Sequence, residues 1–179
     1  MRVLKYAILG LLNHKSMTGY EISTEFKSAL NEFWSAKHSQ IYPELKKLVD
    51  EGMATFEVEI SGNVLEKKVY TITEEGRRDF LQWLATDQPM EATPKDVFRL
   101  RVFFSDDLDK TTRIELLESH LAQHEQRLDY LRNILGKFEG VDDLIGNHLM
   151  GDYMVLTGAI MREEMSCQWV KKCIELLEN

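Results

Sequence analysis

Lys37-His38-Ser39-Gln40-Ile41-Tyr42-Pro43-Glu44-Leu45-Lys46-Lys47-Leu48-Val49-Asp50-Glu51-Gly52-Met53 divides into two helix faces. Ile41, Leu45, Leu48 and Val49 fall at i, i+4, i+7 and i+8, the apolar stripe of an amphipathic α-helix. At about 100° per residue, Ser39, Gln40, Pro43, Lys46 and Lys47 gather on the other side. That outer face offers hydroxyl, amide and ammonium groups. Pro43 would cost about 3 kcal/mol deep inside a helix but little near its first turn. The helix is therefore expected to begin only a few residues earlier, with Ser39 as its N-cap. Gly52 supplies the left-handed residue that stops it. Taken alone, such a helix is most simply half-buried with a solvated outer face.

The flanking sequence changes that reading. Residues 54–60, Ala-Thr-Phe-Glu-Val-Glu-Ile, alternate apolar and acidic side chains in the manner of a strand. Ser61-Gly62-Asn63 is a turn cluster, and residues 65–72 form a second strand, giving a β-hairpin that carries Lys67 and Lys68. Upstream, apolar residues at 4, 8, 9, 11 and 12 predict a buried first helix, broken by residues 13–16. Thr18-Gly19-Tyr20-Glu21 has the Ser/Thr-x-x-Glu form of a capping box and starts a second helix, with Tyr20, Ile22 and Phe26 as candidates for its inner face. Phe33 and Trp34 are read as plugs of the following connection into the core, an effector-facing role staying open. Two helices, an outward polar helix and a basic hairpin make the winged helix-turn-helix plan. In that plan the third helix enters the DNA major groove and the hairpin follows the backbone or minor groove.

Five segments also resemble, in order and spacing, the PadR family of transcriptional regulators. They are Tyr6-Ala7-Ile8-Leu9-Gly10-Leu11-Leu12, Thr18-Gly19-Tyr20-Glu21-Ile22, residues 38–45, residues 48–52, and residues 68–76. Together they span roughly residues 3–85. Phe98-Arg99-Leu100-Arg101-Val102-Phe103-Phe104, ahead of long helices, is similar to that family's dimerisation region of the virulence-activator type. The resemblance implies a DNA-binding regulator under effector control, some family members responding to phenolic acids and others to flat multidrug-like molecules.

At 179 residues the chain is long enough for one large domain or two small ones. Its 29% charged residues are ordinary for a globular protein. No apolar run approaches the ~20 residues of a membrane span, and no signal-peptide pattern opens the chain. Cys167 and Cys173, its two cysteines, suggest free thiols in a reducing cytoplasm. The net charge of −8 is unevenly spread. Residues 1–85 carry 11 basic against 12 acidic side chains, and residues 86–179 carry 11 against 18. The first half is nearly neutral, so a local basic face of Lys37, Lys46, Lys47, Lys67 and Lys68 has to serve any DNA contact, with salt-sensitive affinity.

Residues 87–94, Asp-Gln-Pro-Met-Glu-Ala-Thr-Pro, hold two of the three prolines and mark the domain boundary. After a short apolar helix from 95 to 104, two long helices follow. Ile114, Leu117, Leu121, His124, Leu128, Leu131, Leu135 and Phe138 form one heptad seam, interrupted by His124. Leu149, Tyr153, Leu156, Ile160, Glu163, Cys167, Val170, Ile174 and Leu177 form a second, interrupted by Glu163. If the seams pack antiparallel about the link at 140–146 so that Phe138 meets Leu149, His124 lies level with Glu163. A register-fixing polar contact, an effector or pH site, and pairing of each seam with another subunit are three open readings of these positions.

The expected architecture is mostly α with a small β-hairpin. A winged helix-turn-helix DNA-binding domain occupies 1–86, a linker 87–94, and a helical dimerisation domain 95–179. His38, Ser39, Gln40 and Tyr42 are the candidates for major-groove entry, Lys46 and Lys47 for phosphates, and Lys67 and Lys68 for the wing. Trp34, Phe98 and Phe103 are candidate contacts for a small aromatic effector at the junction of the two domains. His124 and Glu163 are a candidate polar pair in the dimer seam. His120 and His124 are four apart, but no acidic third ligand falls on that face, so no metal is expected. No cofactor fingerprint and no convergent catalytic set is present, and catalysis is not expected. The function this implies is a cytoplasmic homodimeric repressor on an inverted-repeat operator. A winged-helix module that binds protein instead of DNA is the alternative.

Overall fold

Three helices and a hairpin close over one apolar core in the first half of the chain. The computed structural model describes residues 2–27, 34, 36–61, 65–90, 94–138 and 149–179. It divides into two units, Met1–Glu91 and Ala92–Asn179. The first contains α1 (Val3–His14), β1 (Met17–Thr18), α2 (Gly19–Glu25), α3 (His38–Asp50), β2 (Ala54–Ser61), β3 (Leu65–Ile72) and α4 (Glu74–Ala85). Ile8 and Leu9 of α1, Ile22 of α2, Phe26, and Ile41, Leu45 and Leu48 of α3 are buried together. Each such side chain contributes roughly 1.5–3 kcal/mol, enough to hold helices that would be marginal alone.

The sheet is antiparallel, in the order β1-β3-β2. Its hairpin runs in register from Ala54↔Ile72 to Ser61↔Leu65. β1 pairs Met17 with Tyr70 and Thr18 with Val69. This short third strand was not expected, because two residues carry no periodicity. The predicted turn residues Gly62 and Asn63, Phe33, and the link at 140–146 lie outside the described residues.

Capping chemistry sets the helix ends. In α2 the Glu21 N–H donates to Thr18 Oγ1 at 3.2 Å and the Thr18 N–H donates to Glu21 Oε2 at 2.7 Å. α3 starts at His38 with Lys37 in the cap position, not with Ser39 as the cap. The reason is Gln40, whose Oε1 accepts the Lys37 N–H at 3.0 Å. That bond fixes the start one turn before the proline (two residues earlier than a Ser39 cap requires). Pro43 withholds an N–H from the Ser39 carbonyl, but both residues are exposed, so that carbonyl is open to solvent. Gly52 adopts φ 71°. Its N–H donates to Val49 O at 3.0 Å and the Met53 N–H to Leu48 O at 2.8 Å, a Schellman closure.

The second unit holds α5 (Val97–Phe103), a 3₁₀ turn (Ser105–Asp107), α6 (Lys110–Leu135) and α7 (Leu149–Glu178). α6 and α7 lie antiparallel within one chain. Lys110 Nζ meets Glu178 O at 3.2 Å near one end, and the Phe138 and Tyr153 rings sit 5.9 Å apart near the other. Leu117, Leu128 and Leu131 of α6 and Leu156, Ile160, Cys167 and Val170 of α7 are buried along this seam. Arg132–Glu164 at 2.7 Å and Lys171–Glu125 at 2.8 Å flank it. Among the described residues, no helix is long and apolar enough to cross a membrane.

Candidate nucleic-acid interface

α3 separates its side chains as the hydrophobic period demands. Ile41, Leu45 and Leu48 enter the core, while Lys37, His38, Ser39, Gln40, Tyr42, Pro43, Lys46 and Lys47 are exposed. Glu44 breaks the pattern by being buried on the inner side. Its carboxylate accepts from Arg2 Nε at 2.8 Å, and Arg2 also donates from Nη2 to Glu51 at 2.9 Å. The guanidinium hydrogen bonds hold the Glu51 carboxyl below the usual carboxylate range. Arg2 is thereby committed to bracing α3 from the N-terminus, a pairing across 42 positions that local patterning could not show.

Beside α3 the N-terminus of α2 and strand β3 enclose a groove of about 770 Å³, lined among others by Gly19, Tyr20, Tyr42, Lys67, Lys68 and Tyr70. Tyr20 is 73% exposed, which corrects its expected place on the inner face of α2. Ile22 and Phe26, four apart, define the buried side, and Tyr20 stands two residues before Ile22. At about 100° per residue that is nearly opposite, so the spacing alone held the signal. Tyr42 lies across the start of α2. A Cβ built on Gly19 would come within 2.8 Å of its ring, so glycine is what lets the ring settle there. The His38 ring is 4.5 Å from that of Tyr42. Glu21 also lines the groove, but both the N–H and the Oγ–H of Thr18 hold its carboxylate, keeping it ionised below its ordinary range.

The wing lysines leave β3 on opposite sides, although both border the groove. Side chains alternate along a strand and cross-strand partners project together. Lys68, opposite Val58, leaves on the side of Phe56 and Tyr70, with Nζ 4.3 Å from the Phe56 ring centre. Lys67, opposite Glu59, leaves on the other. Phe56, Val58 and Ile60 become progressively more exposed toward the hairpin tip.

In the second unit His124 Nδ1 lies 2.5 Å from Glu163 Oε2, and its Nε2 lies 3.1 Å from His120 Nε2. The Glu163 carboxylate oxygen and His124 Nδ1 share one hydrogen, and the two Nε2 atoms of His124 and His120 share another. The pair therefore forms between α6 and α7 of one chain and needs no second subunit. His120 stacks on Phe98 at 3.4 Å, and Phe98 meets Trp169 edge-on at 6.0 Å. Phe103 is exposed against Phe104, and Trp34, in the first unit, is also exposed. Burial, reinforced by His124, depresses the His120 pKa, while Asp96 and Glu163 pull it back in part. The folded chain thus resists protonating His120. As pH falls below the ordinary histidine value of about 6.5, the unfolded chain gains this proton first and stability falls. Urea midpoints measured from pH 7.5 to 5.5 should drop for the wild type and drop less for His120→Gln; parallel pH profiles would refute the assignment. Burial raises the pKa of both Cys167 and Cys173, which disfavours thiolate chemistry.

The chain is 41% identical to the negative transcriptional regulator PadR of Bacillus subtilis (strain 168), over the whole of both proteins. It belongs to the PadR-like family of transcriptional regulators. The family's own pattern matches residues 8–82, and that of the virulence activator alpha C-terminal region matches 94–178. The PadR-like segment thus contains every groove residue named above. The crystal structure of Bacillus subtilis PadR in complex with operator DNA has a TM-score of 0.90 at 41% identity, covering 98% of this chain and 99% of the other. The same protein's structure with p-coumaric acid has a TM-score of 0.87 at 38% identity, covering 99% and 100%.

Proposed function

We propose that this PadR-like chain is a cytoplasmic, homodimeric repressor that reads an inverted-repeat operator and is released by a small aromatic acid. Residues 1–86 serve as the reading head, 87–94 as the linker and 95–179 as the dimerisation and effector region. The observation that carries the reading is the full-length likeness to a protein solved on operator DNA. The exposed polar face of α3 gives that likeness a chemical basis. Ser39, Gln40 and Tyr42 are assigned to the major groove with His38 beside them. Tyr20 joins them from α2, and Lys46 and Lys47 hold phosphates. Two such heads on a two-fold axis reach half-sites about one helical turn, ~34 Å, apart. The p-coumarate complex of the relative supports an aromatic acid as effector, with Trp34, Phe98 and Phe103 as the aromatic candidates to receive it. The chain acts by binding, not by catalysis.

Fluorescence anisotropy with the DNA upstream of its own gene, at two salt concentrations, tests this. Tight, salt-weakened binding that survives excess nonspecific duplex and is relieved by p-coumarate is the expected result. A folded protein that ignores this DNA at low salt would instead point to a protein-binding winged helix. Lys67→Ala and Lys68→Ala are best made separately. Removing one phosphate contact lowers the slope of log affinity against log salt by about 0.9. Both lysines border the groove, so each substitution should show that change. An unchanged slope and affinity in either would remove that lysine from the interface.

A further inference from the structure

Arg2 joins α3 at two points along the edge of its buried stripe. Its Nε donates to Glu44 Oε1 at 2.8 Å, and its Nη1 and Nη2 donate to the two oxygens of Glu51 at 2.5 and 2.9 Å. Glu44 and Glu51 stand two turns apart on one side of the helix. Glu44 is 6% exposed, and among the described residues Arg2 is its hydrogen-bond partner. A guanidinium is planar and presents its N–H groups in a fixed fork, so gripping two carboxylates at once fixes its plane against both.

The stripe of Ile41, Leu45 and Leu48 holds α3 on the core, but apolar contact is non-directional. It sets the depth of the helix more firmly than its roll about its own axis. The fork of Arg2 is directional and acts off that axis, as a roll restraint must. Side chains on the reading face end about 6 Å from the axis, where a roll of ~10° carries them about 1 Å. A hydrogen bond to a base edge tolerates only about 0.5 Å. Lys46 and Lys47 reach phosphates as point charges on flexible stems and follow such a displacement without loss. Resting on the DNA-reading function above, we propose that Arg2 is a positioning residue for base recognition. It fixes the roll of α3 through Glu44 and Glu51, and so governs discrimination between DNA sequences instead of affinity for DNA as such.

Arg2→Lys keeps the charge and removes the fork, since an ammonium cannot hold both carboxylates in one plane. The full-length protein is titrated by anisotropy against the DNA upstream of its own gene and against a random duplex, at two salt concentrations. A stoichiometric titration gives the active fraction. Arg2→Lys should bind the upstream DNA roughly tenfold more weakly, with random-duplex affinity, salt slope and active fraction unchanged. Glu51→Gln changes an exposed position and keeps one acceptor, so it should lose about threefold in the same pattern. It carries the test should Arg2→Lys fold poorly. Full discrimination by both variants overturns the proposal. An equal loss on both duplexes also overturns it, because Arg2 is then a phosphate contact. A lowered active fraction at unchanged upstream affinity does so too, since it leaves Arg2 a stabilising role alone. A wild type that binds both duplexes alike removes the DNA-reading function beneath it.

Discussion

Replacing Gly76 with alanine is expected to lower the thermal midpoint of the first unit by about 10–20 °C, corresponding to a loss of about 3 kcal/mol. Helix propensity argues the opposite, since alanine inside a helix is favoured over glycine by about 1 kcal/mol. The close approach decides the sign. Gly76 sits in the first turn of α4, and a Cβ there would lie 2.0 Å from the Met53 carbonyl oxygen and 2.9 Å from its carbon. These are backbone atoms, and they are engaged. Met53 O accepts the Thr73 N–H at 3.0 Å. Thr73 Oγ1 donates to Gly52 O at 2.7 Å and accepts the Gly76 N–H at 3.0 Å. The start of α4 is thus clasped onto the Schellman turn that ends α3. Relieving the clash means parting the clasp, and α3 loses its fixed exit. Gly10→Ala is the contrast, because its Cβ would meet only the end of the Phe80 ring at 3.2 Å. Scanning calorimetry of both variants checks the argument. A Gly76→Ala midpoint within about 3 °C of wild type would show that the backbone relaxes at little cost.

The parts of this fold that were legible in the sequence are those set by short-range rules. The α3 stripe of Ile41, Leu45 and Leu48, the Thr18 capping box and the Gly52 stop each follow from residues within one or two turns. The hairpin was legible because its alternation runs through eight residues on each strand. What escaped depends on distant or cooperative geometry. β1 exists only because Tyr70 and Val69 are there to pair with it. Glu44 is buried only because Arg2 reaches it. Ser39 reads as the better cap by residue type, yet Gln40 closes the helix from inside and moves the cap to Lys37. Adjacent residues on a strand leave it on opposite sides, so Lys67 and Lys68 reach the groove they both border by different routes. The heptads of α6 and α7 specify a seam but not its owner. Only packing shows that one chain supplies both sides, which leaves dimerisation to some other face.

That other face leads to the second large effect. Met161→Glu is expected to convert the proposed dimer to a monomer of 20.9 kDa and to weaken operator binding by at least about 100-fold. On α7 the seam residues Leu156, Ile160, Glu163 and Cys167 face α6. Met154, Gly158, Met161 and Met165 repeat the same four-three-four spacing two residues earlier, which turns them to nearly the opposite side. The three methionines are 61%, 68% and 57% exposed, an apolar line left uncovered among the described residues. Methionine adapts its shape to a facing surface, and Gly151, open on this helix, leaves room for close backbone approach. On a two-fold interface the same patch meets itself, so one substitution brings two carboxylates into the seam at once. The consequence reaches DNA because one reading head is a weak binder. Its tight binding depends on the second head being held at high effective concentration, and dissociation removes that gain without touching the groove. Met161→Leu should retain both the dimer and the affinity. Sedimentation equilibrium and anisotropy on the same samples decide it. A Met161→Glu protein that stays dimeric would place the interface elsewhere, and a monomer that binds the operator with full affinity would remove the need for a dimer at all.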